Sequence, residues 1–348
     1  MHGMSTYFIR RLLLIPVTFI AITFMVYAVL RLVPGGPIEQ AQMQIKMAMM
    51  QEGGAGAMLG QTGDVQIPED AMKELKEYYH LDKSIPEGYS RWFWGILHLD
   101  FGTSYIYGKP VLDVIVSKFP ISVYFGLIGY FASWIICIPL GVSKAIRHKT
   151  GYDTATSVLV FIGYSIPGFV ACLILLMMFG GGSFWDFVPL GGFRSDNWSQ
   201  LGFFAKILDQ VHHTIVPLIG YLIGGFASMT ILMKNSLLDN LGADYVRTAF
   251  AKGLSERRVI FVHAMRNSLI PLTVGIGQAL GLLFAGSFLI EKTCNIPGMG
   301  LLGYNSIIQR DYPIILGVLV FMVLIRLTGN IFSDVIWAMI DPRIRFGK

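Results

Sequence analysis

Charge is scarce in this sequence. Lys, Arg, Asp and Glu make up 14% of the 348 residues, against about 25% in a soluble domain. That shortfall excludes an ordinary soluble enzyme, and the 54% of hydrophobic types excludes a disordered chain. Cysteine is equally sparse. Cys137, Cys172 and Cys294 are too few for a disulfide framework, and no C-x-x-C pair signals zinc, haem or thioredoxin-type chemistry. No metal site and no cofactor are expected. A nucleotide site is missing too. The nearest approach to a P-loop, Gly102 to Gly108-Lys109-Pro110, has five residues between its glycines instead of four, and Pro110 where Ser or Thr should hold Mg²⁺. The net charge is +5 and the pI about 9.0. The cations are not gathered into one stripe with interleaved aromatics, so nucleic acid is not an expected partner.

What the chain does have is long apolar runs, with a mean hydropathy of +0.59. A membrane span needs about 20 predominantly apolar residues. Six runs qualify, at roughly 8–32, 119–142, 155–180, 213–233, 269–290 and 314–340. They predict an all-α integral membrane protein with six transmembrane helices rather than a barrel. The first run is too long for a signal-peptide core and no A-x-A site follows it. Small residues recur at helical spacing in Gly220 with Gly224 and in Gly277, Gly281 and Ala285, faces on which helices pack closely in lipid.

The segments between the runs alternate in charge. One set, 1–11, 143–153, 234–268 and 341–348, carries fourteen Lys and Arg against five Asp and Glu. The other, 31–118, 181–212 and 291–313, carries twelve against sixteen. The positive-inside rule then puts both termini in the cytoplasm. Arg326 and Asp334 lie inside the last run, eight residues and about 12 Å of helix apart. That is too far for a simple direct pair, and both read as pathway or interhelix candidates.

The expected domains follow. Residues 1–33 form a cytoplasmic end and the first span, and 34–118 an extracytoplasmic cap loop. Residues 119–340 form a five-helix core including the inner loop 234–268, and 341–348 a cytoplasmic tail. The cap opens on the turn Pro34-Gly35-Gly36-Pro37, is glycine-rich over 53–64, and predicts a helix from Pro68 to Tyr79. The aromatics of Arg91-Trp92-Phe93-Trp94 read as an interfacial belt or a stacking surface. His212 and His213 read as interfacial rather than metal-binding.

The inner loop is the most informative segment. Asp244 is placed to cap a short helix that Gly253 ends. Such a helix is too short to persist alone in water, so it must lie against something. Ala249, Ala251 and Gly253 permit close approach. Arg247, Lys252, Arg257 and Arg258 surround them. One reading is a basic helix on anionic membrane lipid; the other is a knob inserted into a cytoplasmic partner.

Thr248-Ala249-x-Ala251-Lys252-Gly253-Leu254, followed by His263-Ala264-Met265-Arg266-Asn267-Ser268-Leu269-Ile270-Pro271, resembles the EAA loop of bacterial ABC-importer permeases, in the peptide and nickel branch. So do Leu99 to Ser104, Glu291-Lys292 with Pro297-Gly298-Met299-Gly300, Arg310-Asp311-Tyr312-Pro313 and Asp341-Pro342-Arg343. Gly181 to Trp185 and Ser195-Asp196-Asn197-Trp198 resemble the YejB-type peptide permeases in particular. The EAA glutamate is replaced by Thr248. The resemblance covers nearly the whole chain in order. It implies the architecture of a type I ABC importer permease in the bacterial inner membrane. It implies a non-catalytic subunit paired with a second homologous permease, with ABC ATPase subunits and with an extracytoplasmic peptide-binding protein. The implied substrate is oligopeptides or peptide-like antibiotics, with dipeptides or nickel as the alternative. A stand-alone secondary transporter fits less well, because the spans carry no relay of titratable groups.

Overall fold

The structure, a computed structural model, describes residues 2–33, 83–181, 184–273 and 286–340. Among them the regular structure is helical, with two isolated bridges, Thr103 to Pro110 and Gly180 to Val188. The long helices are α1 (His2–Leu32), α3 (Val111–Ile146), α6 (Phe203–Leu241) and α10 (Tyr312–Ile340). Shorter ones are α2 (Ile85–Leu97), α4 (Gly151–Ser165), α5 (Gly168–Phe179), α7 (Asp244–Ala251), α8 (Phe288–Thr293) and α9 (Met299–Ile308). Between α7 and α8, a helical run of Glu256–Arg258, the π-helical Val259–Ala264 and Met265–Ser268 leads into Ile270–Thr273.

Four helices are long and apolar enough to cross a membrane, or five if the pair α4 and α5 is one broken span. These match five of the six expected runs, the third as a broken pair. Residues 155–180 do not form one straight helix: α4 and α5 meet at a 92° bend. The cause is local. Pro167 has no N–H to continue the helix, and the residue before a proline is pushed to extended backbone; Ile166 has φ −96 and ψ 118. The run 269–290 lies mostly outside the described residues, as do the helix expected at Pro68 to Tyr79, the Gly277, Gly281 and Ala285 face, and the tail 341–348. α3 and α6 overrun their expected bounds at both ends. At about 1.5 Å per residue, the 39 residues of α6 exceed what about 30 Å of hydrocarbon requires.

The chain divides into two compact units. One comprises Leu14–Val116 and Gly303–Phe321. Here Tyr27 of α1, Tyr89 of α2 and Leu316 of α10 form a buried cluster, with Trp92 and Phe93 against it. The Thr23 and Tyr89 hydroxyls are hydrogen-bonded at 2.9 Å. The aromatics of 91–94 are therefore split: Trp92 and Phe93 pack inward, and Trp94 is 65% exposed. The loop after α2 is closed by Asp311. Its fully buried carboxylate accepts from Ser104 Oγ at 2.5 Å and from the backbone N–H groups of Tyr105 and Ile106 at 3.3 Å. Two sequence motifs thus form one knot, with Ser104 and Asp311 207 residues apart.

The other unit comprises Met1–Leu13, Ser117–Leu302 and Met322–Lys348. The helices α3, α5 and α6 pack here around two apolar clusters, and α4 lies against α6. One, with Phe125, Cys172, Val216, Ile290 and Ile296, lies around α5 and α8. The other carries the inner loop.

Candidate functional site

Helix α7 is eight residues long, too short to hold itself together in water. It is held by packing. Val246 and Ala249 are buried in a cluster with Val142 and Ala145 of α3, Met233 and Leu237 of α6, and Val259, Ala264 and Leu272 beyond it. One face of α7 therefore belongs to the core. The other is bare: Asp244, Tyr245, Arg247, Thr248, Phe250, Ala251 and Lys252 are exposed, as are Gly253, Arg257 and Arg258.

This arrangement corrects two expectations. Asp244 is not the cap; Ala243, with φ −76 and ψ 150, holds that position and makes no side-chain bond. Asp244 opens the helix, where its charge suits the dipole, and its carboxylate stands 3.6 Å from Arg247 on open surface. Ala249 does not offer room to a partner, since it packs on this chain's own core. Gly253 behaves as expected. Its φ is +78, its N–H reaches the Phe250 carbonyl at 2.9 Å, and the Leu254 N–H reaches Ala249 at 3.4 Å, which closes the helix end. A Cβ there would meet nothing within 4 Å, so only the backbone conformation demands glycine. Leu254 packs against the cluster. The bulky residue on the bare face is Phe250, 46% exposed. Nothing in its spacing marks it in sequence, since it stands as a single aromatic between Ala249 and Ala251.

Beside this loop lies an ionic knot that sequence spacing did not reveal. Asp153, at the start of α4, is 6% exposed. Its carboxylate oxygens accept from Lys234 Nζ of α6 at 2.8 and 2.7 Å, and Lys144 Nζ of α3 stands at 3.1 Å. Lys144, 1% exposed, also donates to the Asp153 carbonyl, Thr156 Oγ1 and Ser157 Oγ at 2.7–2.9 Å. His148 Nδ1 lies 3.3 Å from Asp153. Three helices are thereby tied at the end where α7 sits. The sequence signal was a lone Asp153 within a basic segment.

Farther along α3 lies a second buried carboxylate. Glu291 of α8 is 1% exposed. It accepts from Ser122 Oγ at 3.1 Å and from the Leu301 N–H at 2.7 Å. Ser122 Oγ in turn accepts the Met299 N–H at 2.7 Å. A Cβ on Gly286 or Gly298 would collide with this carboxylate, which explains the glycine of the Pro297-Gly298 motif. Burial raises the Glu291 carboxyl, and the Leu301 N–H and Ser122 hydroxyl pull only partly against it, leaving it at about 7 instead of 4.5.

Of the two charges in the last run, Asp334 is an interhelix residue. It is buried, pairs with Arg11 of α1, and accepts from the Tyr7 hydroxyl at 3.3 Å. Arg326 is exposed on this chain and makes no ion pair among the described residues. His213 is buried, 3.6 Å from Asp209, and His212 contacts the Phe187 carbonyl. His212 holds the 184–202 loop onto α6, as does Asp209, which accepts from the Ser195 N–H at 3.2 Å; His213 pairs within α6. Among the described residues no group of His, Cys, Asp and Glu could hold a metal ion.

The chain has full-length relatives. It is 36% identical over 361 residues, 99% of each chain, to the peptidoglycan transport system permease protein YejB of Agrobacterium fabrum. It is 31% identical over 344 residues to the oligopeptide transport system permease protein AppB of Bacillus subtilis, covering 99% of this chain and 100% of the relative. To the dipeptide transport system permease protein DppB of Escherichia coli it is 30% identical over 361 residues, again 99% and 100%. Residues 137–346 match the family described as the binding-protein-dependent transport system inner membrane component. With its long apolar helices, the chain is a multi-pass protein of the inner membrane. It belongs to the binding-protein-dependent transport system inner membrane components.

Proposed function

We propose that this chain is the membrane-spanning permease subunit of an ATP-driven importer of oligopeptides, and that α7 is where a partner ATPase grips it. One observation carries the reading: a two-sided helix whose inner face, Val246 and Ala249, is fused to the ends of α3 and α6 while its outer face is bare. Force applied to the outer face passes directly into those two long helices. The bare face offers Phe250 as an anchor, with Asp244, Arg247, Thr248, Ala251, Lys252, Gly253, Arg257 and Arg258 around it. Leu254 ties the end of α7 to the core.

The partners follow from this reading: a second permease of the same kind, an ATPase that supplies the energy this chain does not, and an extracytoplasmic peptide-binding protein. Six spans, both termini in the cytoplasm and the divisions at 33, 118 and 340 complete the proposed layout, with the basic segments 143–153 and 234–268 inside. Relatives named for oligopeptide, dipeptide and peptidoglycan transport support a peptide substrate.

A strain lacking this gene, complemented with the chain, tests the proposal. Uptake of labelled tripeptides is expected to depend on it, and the ATPase is expected to co-purify with it. Uptake confined to nickel would overturn the peptide reading. Intact uptake with no ATPase bound would overturn the coupling reading. Alkaline phosphatase fused after Gly63 is expected to be active and after Lys149 inactive; the reverse would invert the topology.

A further inference from the structure

The corner between α4 and α5 breaks a rule that lipid imposes. In hydrocarbon every backbone polar group must be paired, and irregular backbone survives only when buried in protein or lining water. At this corner the carbonyls of Tyr164, Ser165 and Ile166 and the N–H groups of Gly168 and Phe169 have no hydrogen-bond partner among the described residues. Nor is the corner buried in this chain. Tyr164 is 54% exposed, and Ser165 and Pro167 are exposed as well.

Two rulers place the corner at membrane depth. Along α4, Asp153 to Ser165 is about 18 Å; along α6, Lys234 to Gly220 is about 21 Å. Both start at the Asp153–Lys234 pair, which the proposed layout puts at the cytoplasmic surface. They meet again where Gly168 lies against Gly220, so closely that a Cβ on Gly168 would strike the Gly220 carbonyl. The corner therefore sits well inside a hydrocarbon layer about 30 Å thick. On the same helix Leu159, 68% exposed and apolar, serves as the lipid-facing reference in the proposed layout.

We propose that the α4–α5 corner lines the solute path and pairs its free carbonyl and N–H groups, with the Tyr164 and Ser165 hydroxyls, to the backbone of a passing peptide. The chemistry suits a carrier of many sequences, because backbone-to-backbone hydrogen bonds ignore side chains. Ser165 Oγ donates to Phe161 at 2.8 Å, which leaves its lone pairs free to accept. The peptide part of the proposal rests on the function proposed above; the water-lined part rests only on the proposed topology.

The test uses the whole importer with its partners in lipid nanodiscs. Ser165→Cys, Tyr164→Cys and Leu159→Cys are each treated with a membrane-impermeant cationic methanethiosulfonate, above the background of the three buried native cysteines. Ser165→Cys and Tyr164→Cys are expected to react at least about 10-fold faster than Leu159→Cys. A saturating tripeptide is expected to slow them, and the same tripeptide with N-methylated amides to protect far less. Corner cysteines as inert as Leu159→Cys in the complex would overturn the proposal, because a partner helix or lipid would then cover the corner. Equal protection by the N-methylated peptide would overturn backbone pairing. Fast labelling with no uptake of any peptide would remove the peptide reading while upholding a water-lined corner.

Discussion

Asp153 and Glu291 are both buried carboxylates, tied to well-separated points on the same helix, α3. Lys144 and Ser122, their partners on α3, are about 33 Å apart. They are neutralised in opposite ways. Asp153 is met by two ammonium groups, so its partners are themselves charges that need it. Glu291 is met by a hydroxyl and backbone N–H groups, with no cation against it among its hydrogen-bond partners. The first arrangement locks three helix ends and fails badly if one member is removed. The second orders a glycine-rich loop and shifts with proton concentration. One point is pinned by charge and the other by neutral dipoles. In the proposed topology the charge-pinned point is the one that receives force.

The largest effect is expected where the comparison is broken outright. Asp153→Ala strands two ammonium groups, one of them fully buried. Breaking a buried pair in this way costs about 3–5 kcal/mol. Loss of the folded permease from membranes, followed by fluorescence-detected size exclusion, is the expected result. Replacing Lys144 and Lys234 by Met along with Asp153→Ala is expected to recover most of it, since no unpaired charge remains. A triple variant as unstable as the single one would mean that the helices need the charges themselves.

Glu291→Gln sharpens the other side. The native carboxyl is raised from 4.5 to about 7. The folded state therefore binds this proton more tightly than the unfolded state. The stability it contributes is full below about 4.5 and is lost as pH rises through about 7. Thermal unfolding is expected to show a native Tm that falls between pH 5 and pH 8, and a fall that shrinks in Glu291→Gln. An unchanged pH slope would assign the titration elsewhere.

These two carboxylates also mark where sequence reasoning stops. The apolar runs were legible because a bilayer imposes one length on every span. The inner loop was legible because its glycine, small residues and cations fall within a dozen positions. Gly253 could be read as a helix end because positive φ is a local demand. Asp153 with Lys234, 81 residues apart, and Ser104 with Asp311, 207 apart, leave no local pattern, since chain folding alone brings them together. Asp244 was misplaced by one residue because a capping side chain and a first-turn acid look alike in sequence. Pro167 reads in sequence as a kink or helix end, and the chain breaks there; the 92° of the bend was not legible, because a proline kinks or breaks a span according to its packing, and the contact of Gly168 with Gly220 is tertiary.

Gly253→Val is expected to have a smaller and more selective effect. Forcing a β-branched residue to φ +78 costs about 1–3 kcal/mol locally, and no neighbour is displaced because the space around Gly253 is open. The α3–α6 framework is expected to survive, and the end of α7 to fray. The permease should reach the membrane at normal levels while co-purified ATPase falls severalfold. Phe250→Ala is expected to weaken the same association through loss of its anchor, without touching the fold. Normal ATPase recovery in both variants would reduce α7 to a membrane-surface helix, and charge neutralisation at Arg257 and Arg258 should then matter more.

The smallest effect separates burial from charge. Asp244 and Arg247 also form an acid–base pair, but at 98% and 76% side-chain exposure. Water and salt screen such a pair, and holding both side chains in one geometry offsets most of its attraction. Arg247→Ala is therefore expected to leave the Tm unchanged within error, where Asp153→Ala, deleting one acid from a comparable set of charges, removes the fold. Any loss in Arg247→Ala is expected in ATPase binding alone, and to diminish at high salt because the contact would be a rim charge. A measurable drop in Tm would mean that α7 is held by its surface charges rather than by Val246 and Ala249. The division between a structural inner face and a partner-facing outer face would then fail.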